Sequence, residues 1–151
     1  MEELRFRIAG LEEGGLFPLS ATGRGEDRSP AFTIENLSAG ARTLAVTLED
    51  MSHPIRGFTH WVIWNLPAES AIPAAVPAGR RTRGGAVQGR AYGFHRYAGP
   101  KPPRGKRHTY RFTVYVLDCA LDLGPGAGKG AFLRSAEGHI LQKGSLSGFF
   151  E

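Results

Sequence analysis

Two short stretches of this chain carry the residue types that do chemistry. In the first, Glu49-Asp50-Met51-Ser52-His53-Pro54 is followed shortly by Phe58-Thr59-His60-Trp61. In the second, Gly99-Pro100-Lys101-Pro102-Pro103-Arg104-Gly105 runs into Lys106-Arg107-His108-Thr109-Tyr110. Imidazoles, a phenol and a carboxylate gathered in one pocket can hold an oxyanion through donated hydrogen bonds. The carboxylate would orient a histidine and favour its charged form. Asp50, joined by Glu49, is the expected source of negative charge at such a site.

Each residue also has a plainer reading. His60 alone would be a satisfied core histidine, and Tyr110 alone a core aromatic with a wet hydroxyl. Asp50, His53, His60 and His108 are metal ligands by type, but their spacing matches no compact metal motif, so no metal is expected. Ser52 beside His53 is not a catalytic triad, and there is no Gly-x-Ser-x-Gly elbow. No P-loop or dinucleotide fingerprint is present, so no cofactor is expected. His95 and His139 have no evident partners and read as structural. Cys119 reads as a buried, inert thiol.

The elements that must position these residues are strands. Leu4 to Ile8 alternates apolar and charged residues, and Phe32-Thr33-Ile34 forms a short strand. Thr43 to Leu48 places Leu44, Val46 and Leu48 on one face. In Phe58 to Leu66, the residues Phe58, His60, Val62 and Trp64 share one parity, and Thr59, Trp61, Ile63 and Asn65 the other. His108 to Leu117 is a third strand, with His108 and Tyr110 pointing the same way. Asp50, His60, His108 and Tyr110 all fall at strand ends, where sheet proteins present site residues. One helix is expected between Gly130 and Gly144, from the spacing of Phe132, Leu133, Ala136 and Ile140.

Composition agrees. The chain has 151 residues, 41% hydrophobic and 22% charged, which suits one globular domain. Its 21 glycines and 10 prolines favour short strands and loops over a helical bundle. No apolar run approaches the roughly 20 residues that span a bilayer. The acidic start and the single cysteine point to a reducing cytoplasm. The net charge of +5 is uneven: ten Lys/Arg and no Asp/Glu lie between Arg80 and Arg111. Such a stretch suits an anionic partner met by one surface, or a solvated set of loops.

Taken together, the two motifs resemble the phosphatidylethanolamine-binding protein family, also called the Raf-kinase-inhibitor-like family, in its small bacterial and archaeal branch. The family's Asp-Pro-Asp-Ala-Pro followed by Phe-Thr-His-Trp stands here as Asp50 to Pro54 and Phe58 to Trp61. Its Gly-Pro-x-Pro-Pro-x-Gly followed by His-Arg-Tyr stands as Gly99 to Gly105 and His108 to Tyr110, with Leu117-Asp118 closing the strand. Weaker echoes at Ser29-Pro30, Gly93, Tyr97, Gly138 to Leu141 and Gly148-Phe149 extend the match to nearly the whole chain. The resemblance implies one domain over residues 1–151. It implies a mostly β fold, an antiparallel β-sandwich with a large central sheet, a smaller sheet and a few short helices, one near the C-terminus.

It also implies a pocket for anions and phosphorylated head groups, lined by Asp50, Pro54, His60, Gly99, Pro100, His108 and Tyr110, with a cis bond before Pro54. Two departures fall at the rim: Ser52 replaces the family's second aspartate and His53 its alanine. A third, Thr109 for the family arginine, points away from the pocket by parity. The resulting expectation is a binding or regulatory protein, not an enzyme. Its ligand would be phosphate-bearing or a carboxylate, and the eukaryotic relatives imply a kinase or protease as protein partner. A homodimer is expected from Trp61, Trp64, Phe149 and Phe150 as apolar surface. Two rivals stand beside this: a hydrolase or transferase using His60 and His108 as acid and base, and nucleic-acid binding through Arg80 to Arg111.

Overall fold

The computed structural model describes residues 1–151, apart from the side chain of Arg83. Ten strands and one helix follow in chain order. The strands are β1 (Glu2–Glu3), β2 (Phe6–Ile8), β3 (Gly15–Leu16), β4 (Phe32–Ile34), β5 (Thr43–Asp50), β6 (Phe58–Pro67), β7 (Ala71–Ile72), β8 (Val87–Gln88), β9 (His108–Leu117) and β10 (Ile140–Phe150). The helix α1 spans Lys129–Ala136, and two single 3₁₀ turns cover Leu19–Ala21 and Arg83–Gly85. One sheet has the order β1-β10-β9-β5-β6-β8, with β3 also on β10, and a second has the order β2-β4-β7. The long strands pair antiparallel; the two-residue strands β1 and β3 join β10 in parallel.

Between the sheets lies the main core. Leu44, Val46, Leu48, Trp61, Ile63, Tyr110, Phe112, Val114 and Val116 meet Ile8, Phe32, Ile34 and Ile72 of the small sheet. The alternation in β5 and β9 supplies this face, as period 2 requires. A second core lies on the other side of the large sheet, where Ala45, Val62, Trp64, Tyr115 and Leu117 pack under Phe132 and Ala136 of α1. All eight residues of β5 are therefore buried, as befits a strand covered on both faces.

Three expectations are corrected here. Trp61 and Trp64 are 1% and 0% exposed and Phe150 is buried, so of the apolar surface on which the homodimer rested only Phe149 stays partly exposed; the tryptophans are interior, one to each core. Trp61 Nε1 donates to Gln88 Oε1 and Trp64 Nε1 to the Leu123 carbonyl, which satisfies both indoles in place. The helix stops at Ala136, because Gly138 takes φ 82° and turns the chain. Ile140 then opens the 11-residue strand β10 instead of closing a helix. The third concerns β6. Leu48 pairs with Trp61 and Glu49 with Thr59, so His60 is an extra residue opposite no partner. This is a β-bulge, and it breaks the strict parity that placed His60 with Val62 and Trp64.

Candidate functional site

The bulge decides the site. Phe58, Asp50 and Tyr110 are cross-strand neighbours on β6, β5 and β9 and share one face. A regular strand would carry His60 to the far side from Trp61. The extra residue instead turns both toward the inter-sheet side, and the His60 ring lies edge-on to Tyr110 with centroids 5.4 Å apart. His108 stands two residues before Tyr110 on β9, on the same face, with ring centroids 6.2 Å apart. The result is a cavity of about 160 Å³ lined by Asp50, His53, Phe58, His60, Tyr92, Lys101, Pro102, Pro103, His108 and Tyr110. Both sequence motifs meet in it. A larger cavity of about 430 Å³ lies elsewhere, lined mostly by alanines and prolines between Leu66 and Pro77, with Glu69 its one ionisable residue among the described residues. It offers no comparable chemistry.

Asp50 anchors the polar side. It is 3% exposed; its Oδ1 accepts the Ser52 N–H at 2.9 Å and its Oδ2 accepts from His108 Nδ1 at 2.8 Å. A carboxylate can only accept, so His108 carries its proton on Nδ1 and Nε2 is left for other partners. His60 is fixed by the same logic. Its Nδ1 donates to the Ala98 carbonyl at 2.9 Å, which sets the proton of the neutral ring on that nitrogen.

Burial lowers the His60 pKa below its ordinary 6.5, and the hydrogen bond to Ala98 and the charge of Asp50 offset this only in part. Burial first, and Asp50 second, push the Tyr110 hydroxyl up from its ordinary 10. It therefore stays a phenol able to donate.

Gly99 and Pro100 do not line the cavity; they position it. Both are buried. A Cβ on Gly99 would lie 2.1 Å from the Ala21 carbonyl oxygen, and its N–H donates to Asp27 Oδ1 at 2.7 Å. The Pro100 carbonyl accepts from the Gly23 N–H. These contacts hold the Ala98 carbonyl where His60 needs it. Pro54 is exposed and also outside the lining, and the His53–Pro54 bond is trans, contrary to the cis expectation. The turn is made by other means: Asp50 accepts from Ser52, and His53 Nδ1 accepts the Ile55 N–H. Of the two rim residues, His53 stacks on Phe58 at 4.0 Å and 6°. Ser52 turns aside, its Oγ accepting the Thr109 N–H.

Glu49 does not contribute to the site. Adjacent strand residues face opposite ways, and Glu49 is directed to the other side of the sheet, where Lys129 Nζ and Arg111 Nη2 meet it. Residues missed from sequence are Lys101, Tyr92 and Asp27. Lys101 lies within the second motif and is the one Lys or Arg in the lining among the described residues. Tyr92 lies 5.0 Å from the His60 ring. Asp27, far away in sequence, braces Gly99 and pairs with Arg96; no local pattern announces it. The basic stretch is also less uniform than its composition. Arg96, Arg107 and Arg111 have acidic partners, and Arg90 donates to the Gly126 carbonyl. Arg111 lies on the sheet face away from the cavity.

The His60 environment has a stability consequence. A folded-state pKa below the unfolded value means that the unfolded chain takes up a proton first as pH falls. The stability conferred by the neutral ring is complete above about pH 6.5 and is lost as pH falls through the folded pKa. Denaturant midpoints should thus drop between about pH 7.5 and about pH 5. In His60→Gln, which keeps a donor for Ala98, that drop should be smaller; an equal drop in both proteins would remove His60 as its source.

No helix is long and apolar enough to cross a membrane among the described residues. Residues 8–151 match the family model described as phosphatidylethanolamine-binding protein. A UPF0098 protein of Pyrococcus abyssi is 40% identical over 138 residues, covering 89% of this chain and 78% of that protein. One from Methanothermobacter thermautotrophicus is 36% identical, covering 97% and 98%. Among solved structures, Escherichia coli YbcL, described as a member of the mammalian PEBP family, matches with TM-score 0.85 and 26% identity, covering 99% of this chain and 98% of that one. The PEBP homologue CT736 of Chlamydia trachomatis matches with TM-score 0.86 and 25% identity, covering 100% and 99%. By sequence and by fold, the chain belongs to the phosphatidylethanolamine-binding protein family, generally a family of ligand-binding proteins.

Proposed function

We propose that the protein is a binding module whose pocket takes a small anionic group, phosphate-bearing or carboxylate, and that it is not an enzyme. The observation that carries this reading is the convergence of His60 and His108 with Tyr110 and Lys101 on one small cavity. About 160 Å³ is below the usual range for a whole drug-sized ligand, and it suits a head group with the rest of the molecule outside. Lys101 supplies a fixed positive charge and Tyr110 a neutral donor. The two imidazoles hold their Nδ1 protons on protein acceptors, so each Nε2 gains a proton to offer only in the charged form. Anion binding is therefore coupled to proton uptake.

An acid–base enzyme is the second reading. It has a pair of histidines but no serine, threonine or cysteine nucleophile in the lining among the described residues, and the Asp50–His108 pair by itself does no bond-breaking. A cytoplasmic location is read from the single cysteine, and inhibition of a kinase or protease from the resemblance to the family.

The test is calorimetry with sulfate, whose charge is constant over the range used. Affinity should rise about tenfold from about pH 8 to about pH 5.5, and His108→Ala should weaken binding and flatten that dependence. Equal affinity at both pH values, unchanged in His108→Ala, would overturn the reading. Turnover of a phosphoester that disappears in His108→Ala would replace it with the enzyme.

A further inference from the structure

The far end of β9 carries a second group of chemical side chains that neither motif includes. Asp118 and Cys119 follow the last residue of β9, and His139 precedes the first residue of β10. Leu117 and Ile140 are register partners, and the Asp118 N–H donates to the His139 carbonyl at 3.0 Å. The strand pair thus brings together residues separated by a 20-residue excursion that contains α1. The Asp118 carboxylate, the Cys119 thiol and the His139 imidazole each offer a ligand atom, and the three atoms lie within 4.8 Å of one another. His139 Nδ1 is already 2.9 Å from Asp118 Oδ1. This differs from the sequence expectation in two respects: His139 has a partner, and Cys119 is partly exposed rather than buried.

We infer that Asp118, Cys119 and His139 form a binding site for a divalent cation of the zinc class. Four observations support it. The donor set of one sulfur, one imidazole nitrogen and one carboxylate oxygen is a zinc set, softer than calcium or magnesium accept. Zinc–ligand bonds of about 2.0–2.3 Å put tetrahedral ligand atoms roughly 3.3–3.7 Å apart, so a 4.8 Å limit is closed by small side-chain rotations.

The backbone supporting the site is fixed. Thr43 Oγ1 donates to the Cys119 carbonyl at 2.7 Å, and the His139 N–H donates to the Ala136 carbonyl at 2.9 Å. Access is open, with the His139 and Asp118 side chains 47% and 43% exposed. Three protein ligands leave a fourth position to water or an outside donor. Binding forms a metal–sulfur bond, and the thiol proton leaves to solvent.

The cation would tie the two ends of the 118–139 excursion across the sheet end. That excursion carries Leu121, Phe132 and Ala136, which cover the second core. The site is therefore a clamp on the helix side of the sheet, separate from the anion pocket and independent of it.

The experiment is an anaerobic titration of the full chain with Co²⁺, followed by Zn²⁺. Co²⁺ should produce a thiolate-to-metal charge-transfer band with intense tetrahedral d–d bands, and Zn²⁺ should abolish both. Cys119→Ser should remove the charge-transfer band, and His139→Ala should weaken Zn²⁺ binding at least about tenfold. His108→Ala should bind as the unaltered chain does, which separates this site from the anion pocket. Absence of the charge-transfer band would overturn the inference, as would Zn²⁺ binding that is equal in His139→Ala and the unaltered chain, or lost in His108→Ala.

Discussion

Replacing Asp50 with alanine should destabilise the protein by about 2–4 kcal/mol. Asp50 is 3% exposed and accepts two hydrogen bonds, from the Ser52 N–H and from His108 Nδ1. Alanine leaves the His108 donor without its partner in a half-buried place, where the cost of an unpaired donor exceeds the net worth of the bond that held it, and frees the Ser52 N–H at the exposed turn. Anion affinity should fall as well, because nothing would then hold the His108 ring toward the cavity.

Asparagine separates the two effects. Its carbonyl can keep the Ser52 contact, but its amide must donate to His108 Nδ1, and this moves the neutral imidazole's proton to Nε2. Asp50→Asn should therefore cost less stability than Asp50→Ala. It should also bind sulfate with a shallower pH dependence, since His108 would offer an Nε2 proton without becoming charged. Imidazole nitrogen chemical shifts would report the tautomer directly, and urea midpoints the stability. A His108 tautomer unchanged in Asp50→Asn would mean that Asp50 does not set the ring's proton.

Gly99→Ala should be the other large effect, about 3 kcal/mol. The added Cβ meets the Ala21 carbonyl oxygen at 2.1 Å and Asp27 Oδ1 at 2.9 Å. Neither is the loose end of a flexible side chain: the Ala21 oxygen is backbone and also accepts the Tyr97 hydroxyl at 2.6 Å, and Asp27 is held by Gly99 and Arg96. The segment must move, and it takes the Ala98 carbonyl away from His60.

Gly105→Ala is the comparison. Gly105 has φ 78° and nothing within 4 Å of an added Cβ, so its cost is backbone strain alone, about 1 kcal/mol. Urea midpoints should rank Gly99→Ala well below Gly105→Ala, and sulfate binding should weaken only in the former. The reverse order would mean that residues 98–100 do not pack on Ala21 as described.

Local patterns carry much of this protein. Alternation in Thr43 to Leu48 and in His108 to Leu117 is enough to place two central strands, and the shared parity of His108 and Tyr110 puts both on the cavity side. The two motifs name the family and bring Asp50, His60, His108 and Tyr110 to notice. Period 2 works there because the strands are regular and one face is a core.

Tertiary structure decided what periodicity cannot express. The bulge at His60 inserts one residue into β6, so everything counted past it changes face; only the pairing with β5 reveals where the count slips. Both faces of the large sheet are covered, so Trp61 and Trp64 are each interior despite their different faces, and no apolar patch remains where they were expected. Glu49 and Asp50 are neighbours in sequence and opposites in space, one bound to Lys129 and the other to His108. Asp27 and Gly99 meet, as do Asp118 and His139, because strand order and loop packing bring distant residues within hydrogen-bond reach. Such contacts depend on which strands become neighbours, and that is a property of the packed sheet rather than of any one segment.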